Sequence, residues 1–114
     1  MTWINKTLTS PTINSPSLTN VTVGGGTVIT QIISATATLD FDLTSVASQD
    51  LTMTATGAAL GDTVALGVPH GSVTANTVFF AWVSASNTIT VRAQRVSGTP
   101  DPASGTFRVT VTKF

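Results

Sequence analysis

The sequence predicts an all-β protein: an extended N-terminal arm followed by an antiparallel β-sandwich or jelly-roll-like domain. Three observations carry that prediction. Thr and Val dominate, Glu is absent, and Lys occurs only at Lys6 and Lys113, so strong helix formers are scarce and β-branched residues abundant. From Thr27 onward, short runs alternate apolar and polar residues with a period of two, the signature of half-buried strands. Clusters of Gly, Pro, Ser, Asn and Asp separate those runs at the spacing of a sandwich.

The first twenty residues follow a different rule. In TLTSPTINSPSLTN, Leu8, Ile13 and Leu18 recur every five residues, and Pro11 and Pro16 share that spacing. Five matches neither a helix nor a simple strand, and Pro lacks the donor that a central strand needs. Extended or polyproline-like chain is the better assignment. Such a segment has no private core for Trp3, Ile4, Leu8, Ile13 and Leu18. These residues, with Pro11, Pro16, Val21 and Val23, are the candidates for contact with other copies of the chain or with a larger partner. A disordered Ser/Thr/Pro tail is the competing assignment. Gly24-Gly25-Gly26 reads as a hinge, which sets an arm and hinge at 1–26 and a β domain at 27–114. A phosphate loop would need a helix start and a Lys-Ser/Thr pair after the glycines, and neither is present.

The strands are expected in order. Thr27 to Phe41 is the first, with alternation clearest from Ala35 to Phe41. Leu51, Met53 and Ala55 share one face, as do Val64, Leu66 and Val68. Val78 to Ser84 is an aromatic run expected to be covered on both faces, with Trp82 in the core or a subunit interface. Ile89, Val91 and Ala93 form the next inward set, and Phe107, Val109 and Val111 the last. Turns are expected at 45–50, 57–62, 69–76, 85–87 and 98–105. Ser84 to Asn87 suits a hairpin loop. Val96 is out of phase with Ile89, Val91 and Ala93, which predicts a bulge near Gln94-Arg95.

Composition narrows the function classes. A chain of 114 residues suits one domain that buries roughly two thirds of its unfolded surface. Net charge is zero and only 9% of residues are charged, against about a quarter in an average protein. That balance argues against a nucleic-acid clamp or a polybasic membrane patch, and such a surface tends to associate. No apolar run approaches the ~20 residues of a membrane span. No signal-peptide pattern follows Met1, so the sequons at Asn5 and Asn20 are read as chance. Cys is absent, which removes disulfides.

Sites for chemistry are sparse. His70 is the single histidine and falls in a turn-rich loop without a Gly-x-Ser-x-Gly nucleophile elbow. Asp40 and Asp42 lie on one strand face about 7 Å apart, a spacing compatible with a carboxylate pair or with a solvated strand end. Asp50, Asp62 and Asp101 are expected in turns, capping their own backbone. No D-x-D-x-D-G loop supports calcium, and one His without Cys makes a transition-metal site poor. Arg92 and Arg108 are expected on neighbouring strands, in cross-strand or intersubunit ion pairs. No enzyme activity and no cofactor are expected.

The arm TLTSPTINSPSLTN resembles the Pro-punctuated starts of small phage fibre and capsid-associated proteins. The stretches TGAALGDTVALGVP, FFAWVSASNTITVRAQRVSG and DPASGTFRVTV resemble a trimeric β-module of phage heads and tail fibres. Together they span most of residues 35–114, and the run from Asp101 to Val109 is the most specific. The Gln94-Arg95-Val96 hairpin departs from the pattern, where an Asn is expected. The resemblance implies a homotrimer in a virion and transfers no catalytic residues. The length, with room for one arm and one domain, points to a capsid cement or decoration protein on the phage capsid surface, bound to the major capsid protein. A head-fibre or tail-fibre component that binds host glycans, and is attached to a tail-fibre protein, is the alternative. A host-glycan hydrolase is a third class.

Overall fold

A computed structural model describes residues 9, 10, 12, 14, 17 and 19–114 of the chain. Trp3, Ile4, Leu8, Pro11, Ile13, Pro16 and Leu18 lie outside the described residues. The alternating runs form six strands: β1 (Gln31–Leu39), β2 (Ser48–Thr54), β3 (Thr63–Gly67), β4 (Thr77–Ala85), β5 (Thr88–Arg95) and β6 (Gly105–Lys113). One 3₁₀ turn, His70–Ser72, is the sole helical element among the described residues.

The strands make two antiparallel three-stranded sheets, β1-β6-β3 and β2-β5-β4. Only β4 and β5 are sequence neighbours within one sheet; every other connection crosses from one sheet to the other. The sheets therefore enclose a single sandwich-like core. Ile89, Val91 and Ala93 of one sheet and Phe107, Val109 and Val111 of the other are fully buried, as the alternation predicts. Leu39, Met53, Ala55 and Val83 join them, with Val64, Leu66 and Val68 packed at the margin.

Three phenylalanines lock the two layers at one end. Phe41 follows β1, Phe79 is on β4 and Phe107 is on β6. Their ring centroids are 5.4–5.6 Å apart, with tilted or edge-to-face geometry, the arrangement that aromatic quadrupoles favour. Leu43 is also fully buried. Its N–H donates to the Pro100 carbonyl, and its carbonyl accepts from Arg95 Nη1, so the β1–β2 connection is tied to the far loop.

The run from Asp101 to Val109 gains its meaning from the tertiary packing. Pro102 is fully buried. The Ser72 hydroxyl donates to the Ala103 carbonyl at 2.5 Å. Gly105 then passes so close to the 69–72 turn that an added Cβ would sit 2.7 Å from Pro69 Cγ and 2.8 Å from Ser72 Oγ. Glycine is required there by space.

Several expectations are corrected. The first strand begins at Gln31 rather than Thr27, because residues 21–29 fold on themselves. Asp50 lies within β2, not in a turn. The expected bulge near Gln94-Arg95 is absent, and the register shift falls between Val83 and Ala85 on β4. The phase problem at Val96 is resolved by termination: β5 stops at Arg95, Val96 is exposed, and its N–H donates to the Asn76 carbonyl. The β4–β5 turn is shorter than expected, with Ser86 and Asn87 between the paired Ala85 and Thr88. Asn87 takes φ +61°, a conformation that Asn tolerates better than most residues. Arg92 and Arg108 are not on neighbouring strands, since β5 and β6 belong to different sheets. The run from Val78 to Ser84 is covered on one face only within the chain, because Val78 and Phe80 are exposed.

Candidate functional site

Two surface regions gather side chains that the core does not use. The first lies where the N-terminal segment meets the sheets. Val21 and Ile29 form an isolated antiparallel bridge, with Ile29 N–H donating to the Val21 carbonyl at 2.7 Å and Val21 N–H to the Ile29 carbonyl at 3.2 Å. Thr30 N–H then donates to the Lys113 carbonyl, which leads the chain into β1. Gly24 and Gly25, expected within a hinge, have φ +59° and +76°. The Gly26 N–H donates to the Val23 carbonyl. The glycines thus form the tight turn of a small hairpin, where positive φ at both central positions suits the strand twist.

The hairpin and the start of β1 present apolar side chains to solvent. Val23 is 72% exposed and Ile32 63%. Val21, Val23, Ile29 and Ile32, with Thr30 and Gln31, line an open depression of about 280 Å³. Of the sequence-predicted contact residues, Val21 and Val23 are the two that fall among the described residues, and both line it.

The second region is the outer face of β2-β5-β4, and sequence reasoning missed it as a unit. Strand register places it row by row. Ser48, Gln94 and Val78 form one row; Asp50, Arg92 and Phe80 the next; Thr52, Thr90 and Trp82 the third. One edge of the face is polar, the other aromatic, and a cation stands between them. Phe80 and Trp82 stack at 5.9 Å between centroids. The Arg92 guanidinium carbon lies 5.0 Å from the Trp82 ring centroid and 5.8 Å from that of Phe80, within cation–π range.

Asp50 holds Arg92 from the other side. Arg92 Nε donates to Asp50 Oδ1 at 2.6 Å, and Nη2 to Oδ2 at 2.8 Å. This is the bidentate fork that guanidinium and carboxylate geometry favour. The hydrogen bond from Arg92 holds the Asp50 carboxyl below its ordinary range, and the same bond holds the guanidinium above its own. Opposite Trp82 in the register, Thr90 is buried and its hydroxyl donates to Ser84 Oγ at 2.7 Å. The cross-strand ion pair expected of Arg92 is therefore present, with Asp50 as its partner.

The other candidates are separate. Asp42 accepts from both the hydroxyl (2.6 Å) and the N–H (2.9 Å) of Thr44, and these bonds, the hydroxyl's foremost, lower its pKa. Asp62 accepts from Lys113 Nζ and from the Ala59 N–H, which lower its pKa in that order. It caps a turn as expected and also pins the end of β6. His70 is exposed at the start of the 3₁₀ turn, and nearby Ser72 is buried with its hydroxyl committed to Ala103. Among the described residues, no group of three or more His or Asp side chains is arranged to hold a metal ion.

The outer face was partly legible in the sequence. Once Phe79, Ala81 and Val83 point inward, Val78, Phe80 and Trp82 must point outward together. What places Asp50 and Arg92 in the same row as Phe80 is register, which single-strand patterns do not contain. Comparison of the chain with protein-family models, with curated proteins and with solved structures found no match.

Proposed function

We propose that this protein is a non-enzymatic virion structural component, a capsid cement or decoration protein that assembles as a homotrimer. In this reading its extended N-terminal arm attaches it to the major capsid protein on the outside of a phage head. The observation that supports the reading best is the apolar hairpin at the junction of arm and sheets. Val21, Val23, Ile29 and Ile32 surround an open depression while contributing nothing to the buried core. Exposed apolar side chains grouped in this way mark association surfaces. The arm carries further apolar positions at Leu8, Ile13 and Leu18, so apolar residues recur along the sequence on the N-terminal side of the hairpin.

The energetics suit such attachment. Burying each large aliphatic side chain is worth roughly 1.5–3 kcal/mol. Several together offset the cost of ordering an extended segment, and three arms around a threefold axis add avidity. Pro11 and Pro16 lower the ordering cost by restricting the free chain.

The test uses the full-length chain. Replacing Leu8, Ile13 and Leu18 together by Ser leaves the strand content unchanged by circular dichroism. The same variant no longer co-sediments with phage heads that lack this protein. Undiminished co-sedimentation would mean that the arm is not the anchor. Light scattering of the parent protein at micromolar concentration should give the mass of three copies. The alternative, a fibre component that binds host glycans, is favoured by one specific observation, the aromatic and cationic outer face of β2-β5-β4.

A further inference from the structure

We propose that the outer face of β2-β5-β4 is a binding site for an uncharged, hexose-based glycan, which stacks on Phe80 and Trp82 and hydrogen-bonds Arg92 and Asp50. The inference does not rest on the assembly reading, since the two regions share no residues.

The face matches the chemistry of a pyranose ring. A hexose presents C–H groups on one ring face and hydroxyls around its rim. The rows across the sheet present the complementary sequence. Phe80, 43% exposed, and Trp82 supply apolar π surface on β4. Arg92 stands one strand away and Asp50 two strands away, about 10 Å from the aromatic edge at ordinary strand spacing. That width accommodates one or two sugar rings. Thr52 and Gln94 extend the polar side above and below.

The donors are fixed before any ligand arrives. Arg92 is clamped by two bonds that it donates to Asp50 and is packed against two rings, so little side-chain freedom remains to be lost on binding. A guanidinium has five N–H donors, and Asp50 takes two. Among the described residues, the remaining three have no protein acceptor. Asp50 likewise keeps lone pairs free.

Charge selects the ligand class. Asp50 and Arg92 cancel one another, so the site has no net charge to attract an acidic sugar. An acidic sugar would also have to compete with Asp50 for the guanidinium. A second copy of this chain is the rival occupant, since Trp, Phe and Arg are common in protein interfaces. Burial against another sheet would strip water from the half-exposed Arg92 and Asp50 without supplying acceptors and donors in return. Sugar hydroxyls supply both.

Trp3 and Trp82 are the two tryptophans of the chain. Full-length protein carrying Trp3→Phe therefore reports on Trp82 alone by fluorescence. It is titrated with neutral gluco-, manno- and galacto-hexaoses, and with trigalacturonate as the acidic comparison. The expected result is a saturable change in Trp82 emission with at least one neutral hexaose and none with trigalacturonate. Phe80→Leu, which keeps an apolar residue and removes the ring, should weaken that binding about tenfold. Arg92→Met should do the same, with unchanged circular dichroism in both. The proposal is overturned if no neutral hexaose saturates the signal by ~10 mM, or if binding is indifferent to both substitutions. It is also overturned if Trp82 emission responds to protein dilution and Phe80→Leu dissolves an oligomer seen by light scattering, because the face is then a contact between copies.

Discussion

Replacing Gly105 by Ala isolates one close contact on which the packing of two loops depends. Its backbone conformation needs no glycine, since its φ lies outside the positive range that Gly24, Gly25, Gly57, Gly61 and Gly98 adopt. The substitution therefore tests space alone. The new methyl carbon would lie 2.7 Å from Pro69 Cγ and 2.8 Å from Ser72 Oγ, so a separation of ordinary van der Waals size requires a shift of roughly 1 Å. Neither side yields easily. Gly105 is paired with Leu39 in the β1–β6 ladder, and Ser72 is held by its bonds to Ala103 and Pro69. Overpacking of this kind costs about 1–3 kcal/mol, which for a domain of this size lowers Tm by about 4 °C per kcal/mol. Chemical denaturation followed by circular dichroism measures it. Ser72→Ala by itself removes one hydrogen bond, a loss of about 1 kcal/mol. In the Gly105→Ala background it also relieves one of the two clashes, so the double variant should be more stable than the sum of the singles predicts. If Gly105→Ala stays within about 0.5 kcal/mol of the parent, the 69–72 turn is not packed against β6 as described.

Two further predictions concern the loops. Asn87 receives the Gly57 N–H on its side chain and joins Ala55 and Ala58 through its backbone. Asn87→Ala should therefore cost about 1–2 kcal/mol and Asn87→Gly less, because Gly keeps the positive φ and loses only the acceptor; equal losses in denaturation midpoints would refute that division. Asp62 has a folded pKa below its ordinary value, so its contribution is fully present above the unfolded carboxylate pKa and is lost as pH falls through the folded value. Asp62→Asn should flatten that part of the stability-versus-pH curve, measured by denaturation between about pH 5 and pH 2, and an unchanged curve would show that the Lys113 bond contributes nothing to folding.

The sequence by itself determined the fold class and the inward faces of the strands. Thr/Val-rich alternation at 51–55, 64–68, 89–93 and 107–111 states which side chains point together, because the period of two is a local property of extended chain. Local pattern also located the turns at Gly57–Asp62 and around Asn87. By sequence the run from Val78 to Ser84 is expected to be covered on both faces; it is the assembled sheet that turns Val78, Phe80 and Trp82 outward and sets what stands beside them. Only the tertiary structure decided that Asp50 and Arg92 share a row with Phe80, that Arg108 lies on the other sheet, and that Gly24 and Gly25 turn a hairpin. It alone showed that Gly105 must be small, because the atoms it approaches are more than thirty residues away. Strand order and register depend on pairing between distant segments and on the packing of one shared core. A slip of one residue in one strand exchanges its faces without altering any pattern within that strand, so the composition of a surface that spans three strands is a property of the assembled sheet.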